Sequence, residues 1–413
     1  MHPTRKAGLD RLKEFLPRAG RDYARERNHD HGPGRHDRVS ALSPWIRYRL
    51  ITEQEVLARV LEQHSVTAAE KFVQEVCWRS YWKGWLQMRP SVWRDFLSER
   101  TRAVHRIEGN GGLARALEQA EAGQTGIEGF DDWAKELIET GYLHNHARMW
   151  FASIWIFTLK LPWTLGADFF LRHLIDADPA SNTLSWRWVA GLQTQGKTYL
   201  ARPDNIEKFT AGRFRPAGLA TEAPALDGPS PPPPGPLPPA LRAEAPMDGP
   251  ALLLLTPEDL HPESLLPGSA EIAGLLGARG VHSLSSWPWG EQARRFVSGA
   301  LDDALGRASE HFGLSGRALE TLDAAMLVDA CRDAGVDRIV TADAPVGPVD
   351  DALDQLELQL EKEGIQLERR RREWDALAWP QATKGFFPFK KKIPALLDAV
   401  GLGDRQGLLD LGA

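Results

Sequence analysis

"HLIDADPASNTLSWRW", residues 173–188, gathers side chains able to do chemistry into one short run. Asp176 and Asp178 stand two apart, Asn182 follows, and Trp186 and Trp188 close the stretch. Carboxylates accept hydrogen bonds and hold cations, and an amide both donates and accepts. An indole gives up an electron more readily than other neutral side chains. Two further runs have a similar make-up. "FVQEVCWRSYW" at 72–82 sets Glu75 ahead of Trp78 and Arg79, and Trp78, Trp82 and Trp85 fall on one helical face at i, i+4, i+7. "GYLHNHARMW" at 141–150 carries Asn145, His146, Arg148 and Met149. As bare residues, the indoles equally read as a core stripe, the acids as a helix cap and the Asn-His-Arg run as a polar surface patch.

The elements that must position these residues are helical. "TEQEVLARVLEQH" at 52–64 opens on a Thr N-cap, with Gln54 and Glu55 in the first turn and apolar residues at helical spacing. "TAAEKFVQEVCWRSYWKGWLQM" at 67–88 opens on Thr67 and Glu70, the spacing of a capping box. Residues 130–161 predict two more helices, broken near Gly141, and nothing up to residue 215 alternates as a strand does. A run dense in Pro, Ala and Gly at 216–250, without an aromatic residue, predicts an extended polyproline-like linker. From 251 to 413 the pattern changes. "ALLLLTPEDL" reads as a buried strand, "SAEIAGLLGARG" as a helix ending at Gly280, and "VHSL" as a short strand. Two long helices, "VDRIVTADA", a further helix and "IQLERRR" complete the series. Strands alternating with helices predict a mostly parallel sheet covered on both faces. The expected architecture is multi-domain: an all-α domain over 1–215, a linker over 216–250 and an α/β domain over 251–413.

Composition narrows the functional classes. The 413 residues are 42% hydrophobic and 26% charged, the balance of an ordinary globular chain. No apolar run reaches the roughly 18 residues a membrane helix needs, and the N-terminus has no secretory apolar stretch, so the expected compartment is the cytoplasm. Cys77 and Cys331 lack metal-ligand spacing, and no metal is expected. There is no GxGxxG and no Walker motif. Residues 1–215 hold 32 Lys and Arg against 26 Asp and Glu, whereas 216–413 hold 18 against 30, which suits a first half that meets a polyanion. Of the fifteen tryptophans, eleven lie before position 190.

Taken together, these motifs resemble the flavin-binding helical domain of the photolyase/cryptochrome family, over most of residues 20–190. "VSALSP" at 39–44 resembles the family's phosphate loop. The resemblance puts the FAD diphosphate on Ser40, Ala41, Leu42 and Ser43, although Val39 and Ala41 depart from the family pattern. Tyr23 and Arg27 match an upstream Tyr near the flavin and an Arg near DNA. In the 72–82 run, Phe72, Glu75 and Arg79 would line the cofactor, with Glu75 also reading the damaged bases and Trp78 stacking on them. A flipped lesion needs such an aromatic wall and an edge-reading carboxyl group. Asn145 and Arg148 would face the flavin, and Arg148 would pair with Asp176. Met149 would face the lesion, and His146 stands where the family has an Arg turned to DNA.

In the opening run, the resemblance gives Asp176, Asp178 and Asn182 to the flavin, and makes Trp188 a second wall of the lesion pocket. Trp186 and Trp163 become the inner and middle members of an electron-transfer chain. The family's outer Trp aligns near Asn110, and Trp93, Trp133, Trp150 and Trp155 are the spare indoles. After Trp188 the match fades, although Lys197, Arg202 and Lys208 could meet phosphates. The α/β part resembles the family's antenna domain, which usually comes first, so the chain reads as permuted. No pigment-binding residues are recognisable, which leaves an antenna chromophore unsupported. The resemblance thus implies a monomeric, light-dependent lyase with Glu75, Asn145, Trp163 and Trp186 as its catalytic residues. Its cofactor would be FAD and its partner DNA carrying pyrimidine dimers. The alternative is a blue-light receptor of the same fold without repair.

Overall fold

The computed structural model describes residues 1–279 and 285–403. Helices fill the chain to residue 209, and no strand occurs before Leu241 among the described residues. The Glu53–Leu61 helix begins at the expected Thr52 N-cap, and Glu55 reaches back to complete a capping box. The Glu70–Gln87 helix begins later than its sequence predicts. Its N-cap is Ala69, and Thr67 lies in a turn tied by Ser65, whose Oγ accepts from Ala68 N at 3.2 Å. Glu70 does not reach back as a box requires; Lys390 and Gln74 hold its carboxylate, each at 2.8 Å. The Phe130–Thr140 helix stops at Gly141, whose φ of 70° is the left-handed C-cap that favours glycine. The Asn145–Ser153 helix follows and widens into a π-turn at Ile154–Thr158.

The six strands are β1 (Leu241–Arg242), β2 (Ala251–Leu255), β3 (Ile272–Ala278), β4 (Gly316–Leu319), β5 (Arg338–Ala342) and β6 (Gln366–Arg371). They form one sheet in the order β1-β6-β5-β2-β3-β4 with every pairing parallel. β2 is buried along its whole length, as a central strand covered on both faces must be. The reading of residues 269–280 as a helix is corrected by β3. This run has no polar face and two glycines that serve close packing: a Cβ on Gly277 would lie 3.0 Å from Leu305. A short, wholly apolar run does not distinguish helix from strand by its period. The "VHSL" strand falls at 281–284, outside the described residues.

The proline-rich run lies along the surface rather than away from it. Arg89 Nε donates to Pro232 O at 2.9 Å, and Gly235 N donates to Met88 O at 2.8 Å. Arg371 Nη2 reaches Pro238 O at 3.1 Å, and the fully buried Arg370 spends its guanidinium on the carbonyls of Ala243, Ala245 and Pro246. A polyproline stretch has no internal hydrogen bonds, so its carbonyls are free to be gathered in this way.

Between the helices and the sheet runs a buried ionic seam. Arg47 grips Glu258 with two bonds of 2.7 and 2.8 Å and donates to Ala177 O at 2.7 Å. Arg49 pairs with Asp375 at 2.5 Å and approaches Asp259 at 3.5 Å and Glu53 at 3.4 Å. Arg372 closes the line onto Asp259. Asp178 receives Arg47 at 3.7 Å and Lys83 and Arg79 at 3.8 Å.

Removing one partner of such a pair strands the other in a dry interior. Arg47→Ala should therefore lower the unfolding free energy by about 3–5 kcal/mol, read as a fall in the urea midpoint; a loss within error would remove the seam from the stability account. Burial alone would raise the Asp178 carboxyl, but Lys83, Arg47 and Arg79 outweigh it and bring it down to about 2. A folded pKa below the unfolded one means stability that is present above pH 4 and lost as pH falls toward 2, roughly 2 kcal/mol in all. The wild-type midpoint should thus fall more steeply than that of Asp178→Asn between pH 4 and pH 2.5, and parallel curves would refute the assignment.

Candidate functional site

The residues singled out in the sequence converge where four elements meet: the Glu70–Gln87, Asn145–Ser153 and Pro179–Val189 helices and the loop before Ser43–Arg47. Asp178 is the N-cap of its helix and accepts from Ser181 N at 2.7 Å, which fixes the carboxylate at the head of the segment bearing Asn182 and Trp186. Asp176, two residues earlier, is buried and accepts from Arg148 Nη2 at 2.9 Å. Arg148 is itself held by Leu143 O at 3.0 Å. Burial works against ionisation of Asp176, but Arg148, and a hydrogen bond from Ser43, leave its carboxyl below the usual range. Ser43 thereby ties the loop to the acidic pair.

That loop is strained and braced. Ala41 sits at φ 50°, in the left-handed region that costs a non-glycine residue energy. Arg11 holds the backbone around it, donating to Ser40 O at 2.8 Å, Val39 O at 2.9 Å and His36 O at 3.1 Å. Leu42 is fully buried, and its N–H reaches Ser40 Oγ at 3.4 Å. Ahead of the loop, Tyr23 packs edge-on to Phe72 with centroids 5.3 Å apart, and Arg27 forms an ion pair with Glu75. Asn182 donates to Ala167 O at 2.9 Å, and that bond fixes the orientation of its amide.

Several buried polar atoms here have no hydrogen-bond partner: Asp176 Oδ1, Arg79 Nη1 and Lys83 Nζ. Burying a polar atom unsatisfied is costly, and an acceptor beside cationic donors is the lining that the polar edge of an isoalloxazine would complete. The donor set therefore fits a flavin. Lys83, only 1% exposed, was not singled out by the sequence and neither were Arg47 and Glu258. Only a basic residue inside an apolar helix face hinted at the first.

The residues assigned to DNA lie nearer the surface. Arg27, Glu75, Trp78, His146, Met149 and Trp188 are half-buried, and Asn145 is exposed. His146 stacks on Trp150 at 4.2 Å and meets Asn28 O at 3.0 Å. Trp188 lies 5.7 Å from Tyr199. The face of Trp78 is covered by Phe386, stacked at 3.6 Å and 10°. Phe386 comes from far along the chain, and nothing in the sequence linked the two. The loop before Ser40 carries histidines, of which His36 meets Glu136 at 3.0 Å and stacks near His144, which burial holds neutral with a pKa of about 3.

The indoles are ordered along the far side. Trp186 is buried against Trp155, 6.3 Å away, and Phe170, 5.1 Å away. Gly166 makes the fit, since a Cβ there would fall 2.3 Å from the Trp186 ring. Trp163 donates to Glu99 at 2.9 Å and leads through Phe96, at 5.6 Å, to Trp93, a further 5.3 Å. Asn110 caps the Gly111–Glu121 helix instead of offering an aromatic ring. A cleft of about 730 Å³ opens beside Trp163, lined also by Glu99, Arg106 and Lys160; none of the residues assigned to the cofactor borders it.

Comparison with known proteins bears on the same helices. Residues 72–213 match the FAD binding domain of DNA photolyase. A deoxyribodipyrimidine photo-lyase of Streptomyces griseus is 31% identical over 232 residues, which is 53% of this chain and 48% of that protein. One from Synechococcus sp. is 30% identical over 205 residues, 46% of this chain and 39% of that protein. A solved Synechocystis sp. cryptochrome superposes with a TM-score of 0.41 and 24% identity, over 50% of this chain and 43% of its own. The chain spans about half the length, or less, of these curated relatives. Tyr23, Arg27 and the Ser40–Ser43 loop precede the matched family segment. Through residues 72–213, about a third of its length, the chain is similar to the FAD binding domain of DNA photolyase.

Proposed function

We propose that the protein is a light-dependent DNA-repair flavoprotein acting on cyclobutane pyrimidine dimers. The observation that carries this reading is the Arg148–Asp176 pair, buried with Asp176 Oδ1 and Arg79 Nη1 left over for a ligand. Bound FAD, fully reduced and excited by light, would supply one electron to the dimer and recover it once the ring has split. The chain's own residues do the rest. Asp176, Asp178, Arg79, Arg148 and Asn182 orient the cofactor, and Ser40–Ser43 with Ala41 and Leu42 receive its diphosphate. Tyr23 and Phe72 wall the cavity and exclude water. Glu75, released from Arg27, hydrogen-bonds the flipped bases, with Asn145 and Met149 at the opening and Trp78 and Trp188 beside it. Arg27 and His146 meet the strand. Trp186 and Trp163 would relay electrons, one at a time, from an external reductant to the flavin site, with Trp155 as the indole in ring contact with Trp186.

In this reading residues 1–215 form the catalytic unit, 216–250 the linker and 251–413 a sheet unit resembling the antenna domain, in permuted order. The similarity of the helical half to proteins named deoxyribodipyrimidine photo-lyase supports the lyase assignment. One observation favours a second reading, a light receptor without repair: Phe386 occupies the face of Trp78 on which a lesion would stack.

Chemically reduced protein, mixed with an oligothymidine bearing cyclobutane dimers, should restore thymine absorbance under blue light and not in the dark. Protein that holds reduced FAD yet restores nothing would establish the receptor reading. Glu75→Ala should lower the repair yield at least tenfold while sparing FAD content, and Asp176→Asn should lower FAD content itself. Unchanged behaviour in either variant would remove that residue from its role.

A further inference from the structure

The segment that covers Trp78 also has an outward face. Thr383–Lys392 holds four lysines, Lys384, Lys390, Lys391 and Lys392, and no acidic residue. Phe387 stands 81% exposed, the most exposed large apolar side chain among the described residues. Its neighbours Phe386 and Phe389 are buried, so the short Phe386–Lys390 turn sends one ring out while two hold it down. The segment is bolted to the Glu70–Gln87 helix and to Arg89 just beyond its end. Tyr81 Oη donates to Lys384 O at 2.9 Å, Arg89 Nη2 donates to Thr383 O at 2.7 Å, and Lys390 pairs with Glu70 at 2.8 Å. Lys390 is thus spent on Glu70, whereas the side chains of Lys384, Lys391 and Lys392 remain at the surface.

Exposing an aromatic ring costs hydration free energy, which a monomer has no reason to bear at a rigid, anchored position. An exposed aromatic ring in a run with three surface lysines and no acidic residue of its own matches a nucleic-acid strand, whose bases stack on aromatic rings while its phosphates take the lysines.

We propose that Phe387, with Lys384, Lys391 and Lys392, is a DNA-contacting knuckle at the edge of the Trp78 face, stacking on a base while the lysines bind flanking phosphates. The proposal rests on the repair reading above and adds to it a strand contact supplied by the C-terminal part of the chain. It is a contact of the sheet-bearing half, whose overall charge is acidic, made by a local run whose charged residues are all basic.

The test is fluorescence anisotropy of the FAD-loaded protein on a labelled duplex with one cyclobutane thymine dimer and on the same duplex undamaged, across a sodium chloride series. Phe387→Ala should weaken binding to the damaged duplex about tenfold, Phe387→Trp should restore it, and flavin absorbance should stay unchanged in both. Replacing Lys384, Lys391 and Lys392 by Ala should reduce the slope of log affinity against log salt by about 2–3. If the wild type binds and these variants bind equally well, the knuckle is overturned and the repair reading stands. If the wild type binds neither duplex, both fall. If the variants lose affinity for phosphatidylglycerol vesicles and not for DNA, the face belongs to a membrane surface and the proposal is wrong.

Discussion

The structure depends on charges that have no access to water. Arg47 and Arg49, consecutive but for Tyr48, leave one short helical turn and cross to Glu258 and Asp259 on a loop, and to Asp375 on the Glu373–Ala378 helix, of the sheet half. Each ion would be prohibitively costly alone in this interior, and each is tolerable because its partners are fixed. The two halves are therefore not free to slide: any displacement strands a cation. The same seam ends on Asp178, where Arg47, Arg79 and Lys83 converge and keep the carboxylate ionised. Asp178 in turn heads the helix of Asn182 and Trp186. What joins the two halves also sets the floor of the proposed flavin site.

That coupling gives the acidic half a role that its own sequence does not advertise. It supplies Glu258 to the seam, Phe386 to the face of Trp78, and Arg370 and Arg371 to the proline-rich run. The order of the halves along the chain matters little to this arrangement, because every contact is made through space and the run between them is extended enough to be laid along the surface.

Much of this was legible in the residues. The Thr52 cap, the Gly141 break, β2, β5 and β6 all announced themselves through local chemistry. So did the pairing of Arg148 with Asp176, through the resemblance. β3 did not: a wholly apolar run shows no alternation, and its Gly277 makes room for Leu301 and Leu305, which are distant in sequence. β1 and β4 were missed because each is only two to four residues long and partly exposed at a sheet edge. Thr67 was misplaced because the competing partner of Glu70 is Lys390, about 320 residues away. Lys83, Glu258 and Phe386 share this cause. A buried charge or a stacked ring is defined by its partner, and a partner from another segment leaves no local mark.

The most direct measurement of the account is the affinity of Glu258→Gln for FAD, titrated into flavin-stripped protein whose circular dichroism matches the wild type. Glu258 is assigned no contact with the cofactor; it acts only by holding Arg47 against Asp178. The account predicts a dissociation constant raised about tenfold, the equivalent of 1.4 kcal/mol, with the loss largely recovered in Arg47→Met/Glu258→Leu, where no charge is left stranded. Wild-type affinity in a folded Glu258→Gln protein would contradict it, and would mean that the flavin site stands independently of the seam.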